Sequence, residues 1–334
     1  MPAPGKVGFS SAVRIACALI CSFSATDSLA QITVQPSVSV SEKPATYTAP
    51  LELIHDKPYI SVMVNGRGPF RFLIDTGTGG QALVSPELAD ELALPVVGHA
   101  RLMDPSGKGD QRSDILQMHL LKVAGAEFAE IKAIRHRLYG EEDICQGVLG
   151  FTIFKDYLFT LDYPGRRVIL AKGLISQEDG GSVMPFRMPD GVPIVSMRID
   201  GQHVEAQIDS GGTGLSLPEH VARGLKFLST PVEFGKGESL STRFQIKASR
   251  LRPDVRLGHY AFKQAFVEIN PAFPLVNVGS TPLANFVVTF DQAKMLLRLY
   301  SSQKTLHLDA SPAPLQLNNE PRREASDRRL VPVG

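Results

Sequence analysis

Two short stretches carry carboxylates in a setting suited to proton transfer. Residues 72–80 read FLIDTGTGG and residues 206–212 read AQIDSGG. Each ends an apolar run with an acid, Asp75 or Asp209, and follows it with a hydroxyl residue and glycines. One carboxylate alone could cap a helix or shape a turn. Two that meet can divide acid and base work on a single water, because close carboxylates do not both ionise cheaply and share a proton instead. The competing reading is a pair of Asx-type turns, since Asp and Gly dominate turns for conformational reasons alone.

The surroundings of the two acids repeat. "YISVMVNGRGPFRFLIDTGTGGQALVSPELADEL" has a counterpart in "PIVSMRIDGQHVEAQIDSGGTGLSLPEHVARGL". Both show a strand-like run, an Asn-Gly or Asp-Gly turn of the kind that closes hairpins, a second strand-like run, the Asp segment, and a Pro-Glu pair opening a short helix. Downstream, "GVLGFTIFKDYLFTLDYPGRRVIL" matches "VNVGSTPLANFVVTFDQAKMLLRL". Gly150 follows Asp75 by 75 residues (150 − 75) and Gly279 follows Asp209 by 70 (279 − 209). Asp162 and Asp291 each follow that glycine by 12 (162 − 150, 291 − 279). They fall near hairpin turns, which favours turn or surface structure over catalysis. A duplication that preserved only turns would not need Asp at the first position of both copies.

The 334 residues carry net charge +1, with 43% apolar and 21% charged positions. That is ordinary globular composition, sized for one large domain or two small ones. No basic run stands out, so nucleic acid is disfavoured as a partner. Lys6 and Arg14 precede the apolar stretch IACALICSFSA, and SLA leads to Gln31. This is the pattern of an export signal over 1–30, cleaved after about Ala30, and an uncleaved anchor is the other reading. The apolar stretch is shorter than the roughly 20 residues that span a bilayer. Bulky Ile20 argues against a lipoprotein signal ending at Cys21. The expected location is therefore periplasmic or secreted, with no stable membrane span after cleavage.

Cleavage removes Cys17 and Cys21 and leaves Cys145 without an internal disulfide partner, as a small buried residue. The eight histidines include no HExxH pair, which disfavours a zinc hydrolase. No P-loop is completed and no GxSxG elbow occurs. No metal or other cofactor is expected. The expected division is a leader over 31–46, a first lobe over 47–174, a linker over 175–183, a second lobe over 184–302, and a polar, Pro-containing disordered tail over 303–334.

Over both lobes the chain resembles the retropepsin-like and pepsin-like aspartic proteases, in particular exported bacterial members with two lobes in one chain. The resemblance rests on DTGT with GVLG and on DSGG with NVG. It implies an all-β, bilobal acid-protease fold: two pseudo-twofold-related, β-barrel-like lobes with short helices. Asp75 and Asp209 would be the catalytic pair, activating a water to hydrolyse a peptide or protein substrate, and a monomer would suffice. Thr76 and Ser210 would hydrogen-bond across the lobes, and Gly77 and Gly211 would present backbone to the substrate. Thr78 could donate to Asp75, whereas Gly212 has no hydroxyl, so Asp75 is expected to be the more ionised of the two. Asn277 departs from the apolar pair expected before the glycine and would need a partner if buried. Gly212 and Asn277 keep open a second reading, an inactive peptide-binding protein of the same fold. No Tyr or Trp lies between Arg101 and Met118, and MDPSGKG there suggests a glycine-containing flap turn, with EFGKGES as its counterpart. Ordinary surface turns are the other reading of both.

Overall fold

Alternating apolar residues and turn-forming dipeptides organise each half of the chain into hairpins. The computed structural model describes residues 46–102, 111–138, 140–176, 181–238 and 243–309. The expected signal over 1–30, the expected leader over 31–46 save Thr46, and the expected tail over 303–334 from residue 310 on lie outside the described residues. The fold is all-β and bilobal, with only short helices.

In the first lobe, strand Lys57–Val64 pairs antiparallel with Arg67–Asp75. Asn65 and Gly66 close that hairpin with φ of 49° and 78°, the left-handed pair that a type I′ turn requires. Arg67–Asp75 then runs parallel to Gly147–Gly150, so that Asp75 sits beside Gly150. Gly147–Gly150 is in turn antiparallel to Ala82–Val84. The second lobe repeats these steps: Ile194–Ile199 with Gln202–Ile208, then Val276–Val278 in parallel, then Leu215–Pro218. Its hairpin turn is Asp200-Gly201, with φ of 52° and 75°. The Pro-Glu helices also form, as Pro86–Glu91 capped by the Ser85 hydroxyl and as the single turn Glu219–Ala222.

A six-stranded sheet joins the lobes. Tyr47–Pro50, Arg167–Ala171 and Leu158–Asp162 come from the first half, and Val287–Asp291, Leu296–Tyr300 and Ser182–Arg187 from the second. At its centre Thr160 faces Thr289, and the two hydroxyls hydrogen-bond at 3.0 Å. Asp162 and Asp291 lie at opposite ends of this seam and are buried turn formers. Asp162 accepts from the Gly165 N–H and the Arg167 guanidinium, and Asp291 from the N–H groups of Lys294 and Ile175. Beneath the seam Phe159 stacks on Phe154 at 4.1 Å and on Phe290 at 5.7 Å, while Phe290 meets Phe151 edge-on at 4.9 Å.

Two expected boundaries need correction. Ser182 and Val183 are already strand residues paired with Leu299 and Arg298, so the linker ends before 182. The second lobe does not stop at 302, because strand Thr305–His307 pairs with Tyr260–Lys263 and buries Leu306 and Leu308. Two apolar side chains in a polar-looking stretch are enough to anchor it.

The arms of both expected flap hairpins are present. Val96–Leu102 pairs with Gln111–Val123 around residues 103–110, which lie outside the described residues together with MDPSGKG. In the second lobe Val232–Glu238 pairs with Arg243–Arg250 and is bulged between Glu233 and Gly235. The glycines of EFGKGES therefore lie along a strand, and residues 239–242 lie outside the described residues.

Phe290 is fully buried and touches rings from both lobes. Phe290→Ala should cost about 3–5 kcal/mol, read as a lower midpoint in urea unfolding. A loss below about 1 kcal/mol would show that the aromatic seam does not join the lobes.

Candidate active site

The two DTG/DSG loops meet where the lobes touch, and their hydroxyl residues hold them together reciprocally. Thr76 N–H donates to Ser210 Oγ at 3.0 Å, and Ser210 N–H donates to Thr76 Oγ1 at 3.0 Å. Each hydroxyl passes its own proton one step further into the opposite lobe. Thr76 Oγ1 donates to the Ile208 carbonyl and Ser210 Oγ to the Ile74 carbonyl, both at 2.7 Å. Thr76 is 1% exposed and Ser210 0%, so none of these groups has water to fall back on.

This clasp sets the residues before it, Asp75 and Asp209, against each other. A methyl group built at Gly77 would lie 2.5 Å from Asp209 Oδ1, and one at Gly211 would lie 2.3 Å from Asp75 Cγ. Each carboxylate therefore rests on the other loop's glycine, where any side chain would displace it. Asp75 accepts from the Gly77 N–H at 2.7 Å and from the Thr78 hydroxyl at 2.8 Å. Asp209 accepts from the N–H groups of Gly211 and Gly212 at 3.0 and 2.8 Å, and from the Asn277 amide at 2.6 Å.

The expectation that Thr78 makes Asp75 the more ionised of the two is not met. Burial, the neighbouring Asp209 charge and a hydrogen bond to Asp209 push Asp75 up to about 7 against the opposing pull of Thr78 and Gly77. The residue missed in the sequence is Asn277. The sequence marks it only as a polar residue in need of a partner, and its amide supplies the donor that Gly212 lacks. Asp209 thus has three donors to Asp75's two. Thr213 does not take that role, and its carbonyl receives the Thr281 N–H instead. The signal available in the sequence was the position of Asn277, two residues before Gly279, where the first lobe has Val148.

Further contacts brace the site across the lobes. Thr281 Oγ1 donates to Asp56 at 2.9 Å, and Gln292 donates to the Phe151 carbonyl at 2.8 Å. Ser280 donates to the carbonyls of Ser210 and Gly212, closing the second loop from beneath. Among the described residues no group of His, Cys, Asp and Glu is arranged to hold a metal ion. Cys145 is buried, and its thiol is pushed up to about 11 by burial, as a structural cysteine's would be.

Residues 60–153 match the family model described as aspartyl protease. The match starts in the strand before the Asn65-Gly66 turn, takes in Asp75, Thr76, Gly77 and Thr78, and ends in the helical turn after Gly150. No curated protein matches the chain. The match supports the aspartic-protease resemblance over residues 60–153 of the first lobe. No helix among the described residues is long and apolar enough to cross a membrane.

Ser210→Ala removes one donor and one acceptor from the clasp and leaves the Thr76 N–H and Ile74 carbonyl buried without partners. It should lower unfolding free energy by about 2–4 kcal/mol, measured by denaturant titration. Unchanged stability would mean that the clasp does not hold the lobes.

Proposed function

We propose that this chain is an aspartic endopeptidase in which Asp75 and Asp209, one from each lobe of a duplicated unit, act on a shared water. The observation that carries the reading is the reciprocal contact of each carboxylate with the opposite loop's glycine. Asp209, with three donors, is the ionised base. Asp75, raised to about 7, holds the proton. A water between them loses a proton to Asp209 as its oxygen bonds to the peptide carbonyl carbon, while Asp75 gives its proton to the carbonyl oxygen. As the resulting diol collapses, one of its hydroxyls returns a proton to Asp75, the C–N bond breaks, and the amine leaves with the proton taken up by Asp209. Thr78 and Asn277 position the two carboxylates. Gly77 and Gly211 offer the unobstructed backbone along which an extended peptide fits.

Both lobes come from one chain, so a monomer completes the pair. The N-terminal pattern over 1–30 supports export to the periplasm or the medium. The binding-only reading drew on Gly212 and Asn277, and both have a role in the dyad: the Gly212 N–H and the Asn277 amide both donate to Asp209.

Turnover of a peptide library by the purified mature chain between pH 3 and 8, blocked by a statine-type inhibitor, tests the assignment. Asp75→Asn should lower kcat by about 10²–10⁴-fold. A variant as fast as the wild type would remove Asp75 from the chemistry. The acid form of Asp75 is required, so kcat/KM should fall as pH rises through about 7, with unit slope. A rate still rising at pH 8 would contradict the proton assignment.

A further inference from the structure

The two lobes differ along one face that opens on the dyad. Cross-strand partners share a sheet face, so the registers define a row in each lobe. In the first, Leu73 lies beside Val148, Val148 beside Leu83, and Leu83 beside Ile134. In the second, Gln207 lies beside Asn277, Asn277 beside Ser216, and Ser216 beside Glu268. Both rows start two residues before the dyad aspartate and cross the same four strands. Every apolar residue of the first row faces a polar counterpart in the second.

The first row is spoken for. Leu73 and Val148 pack with Tyr59, Leu138 and Cys145, and Ile134 packs with Ile115 and Ala100. The second row is not. Glu268 is 9% exposed, and burial alone raises its carboxyl. No described residue gives it a hydrogen bond or an ion pair. On the neighbouring strand, Arg250 shares the face of Glu268 but is paired with Asp309, and Lys247 lies opposite Ile269 on the other face. Asn277 turns its amide nitrogen to Asp209, which leaves its Oδ1 buried with no partner. Gln207 reaches the dyad loop, its Nε2 lying 2.8 Å from where a Gly77 methyl would be.

An isolated buried carboxylate and an orphaned carbonyl are costly features, and both are hydrogen-bond acceptors. We infer that the Gln207–Asn277–Ser216–Glu268 row is a specificity site for a basic side chain, lysine or arginine, adjoining the bond that the dyad acts on. Glu268 lies two strand spacings, about 10 Å, from Asn277, which suits a long cationic side chain extending from a residue held at the dyad. This inference rests on the peptidase reading for its substrate and names the class of peptide.

The test uses matched fluorogenic peptides that carry arginine, lysine or norleucine on either side of the scissile bond, together with reduced-amide versions that bind without being cleaved. The wild type should favour a basic residue on one side, and Glu268→Gln should lower the basic-to-norleucine ratio of kcat/KM by about tenfold or more. Glu268→Leu, which copies the Ile134 environment, should do the same and serves if the first variant folds poorly. Equal treatment of arginine and norleucine by the wild type, or a ratio unchanged in both variants, overturns the inference. If nothing is cleaved, the peptidase reading fails by itself. The affinities of the reduced-amide pair for wild type and Glu268→Gln then decide the basic site separately.

Discussion

Everything at the centre of this molecule depends on two hydroxyl side chains exchanging hydrogen bonds across a lobe boundary. Thr76 and Ser210 each accept from the other's backbone and donate to a carbonyl just before the other's aspartate. Because all four groups are buried, the loops cannot separate without leaving them unsatisfied. This fixes the backbones on which Asp75 and Asp209 stand. The cost of holding two acids together is therefore borne by the fold, and it appears as the raised affinity of Asp75 for its proton.

The rest of the structure protects that arrangement at longer range. The six-stranded sheet, centred on the Thr160–Thr289 contact, sets the relative orientation of the lobes. The aromatic seam through Phe159 and Phe290 fills the space beneath it. The Asp56–Thr281 and Gln292–Phe151 contacts tie the flanks of one lobe to the loop of the other. The two lobes share a backbone plan but not a surface chemistry: the face beside Asp75 is apolar and covered, and the face beside Asp209 is polar and holds a lone acid.

Much of this was legible in the sequence. The Asn-Gly and Asp-Gly turns are local signals demanded by backbone geometry, and the paired Asp-(Thr/Ser)-Gly segments and glycines 150 and 279 show as repeats, the two glycines being required by the close approach of the Gly80 and Thr213 carbonyls. From them the all-β bilobal fold and the meeting of the two acids followed. What escaped depends on contacts between distant segments. Asn277 acquires its partner only because a parallel pairing carries it beside the strand that ends at Asp209, 68 residues away in sequence. The expected proton assignment followed Thr78 and Gly212, the residues nearest in the chain, and left out the burial and the Asp209 charge that raise Asp75. The strand Thr305–His307 was missed because its polar, Pro-flanked surroundings hide two buried leucines. The strand nature of Gly235 was missed because a glycine in a bulge looks like a glycine in a turn.

The central claim is that two carboxylates, held face to face by the Thr76–Ser210 clasp, share a single proton. Neutron diffraction from crystals exchanged into deuterated solvent near pH 5 would locate that proton directly. The account predicts one deuteron between the carboxylates, bonded to an oxygen of Asp75, with Asp209 bare and accepting from Asn277. Carboxylates that point apart, or a deuteron on each of them, would contradict it.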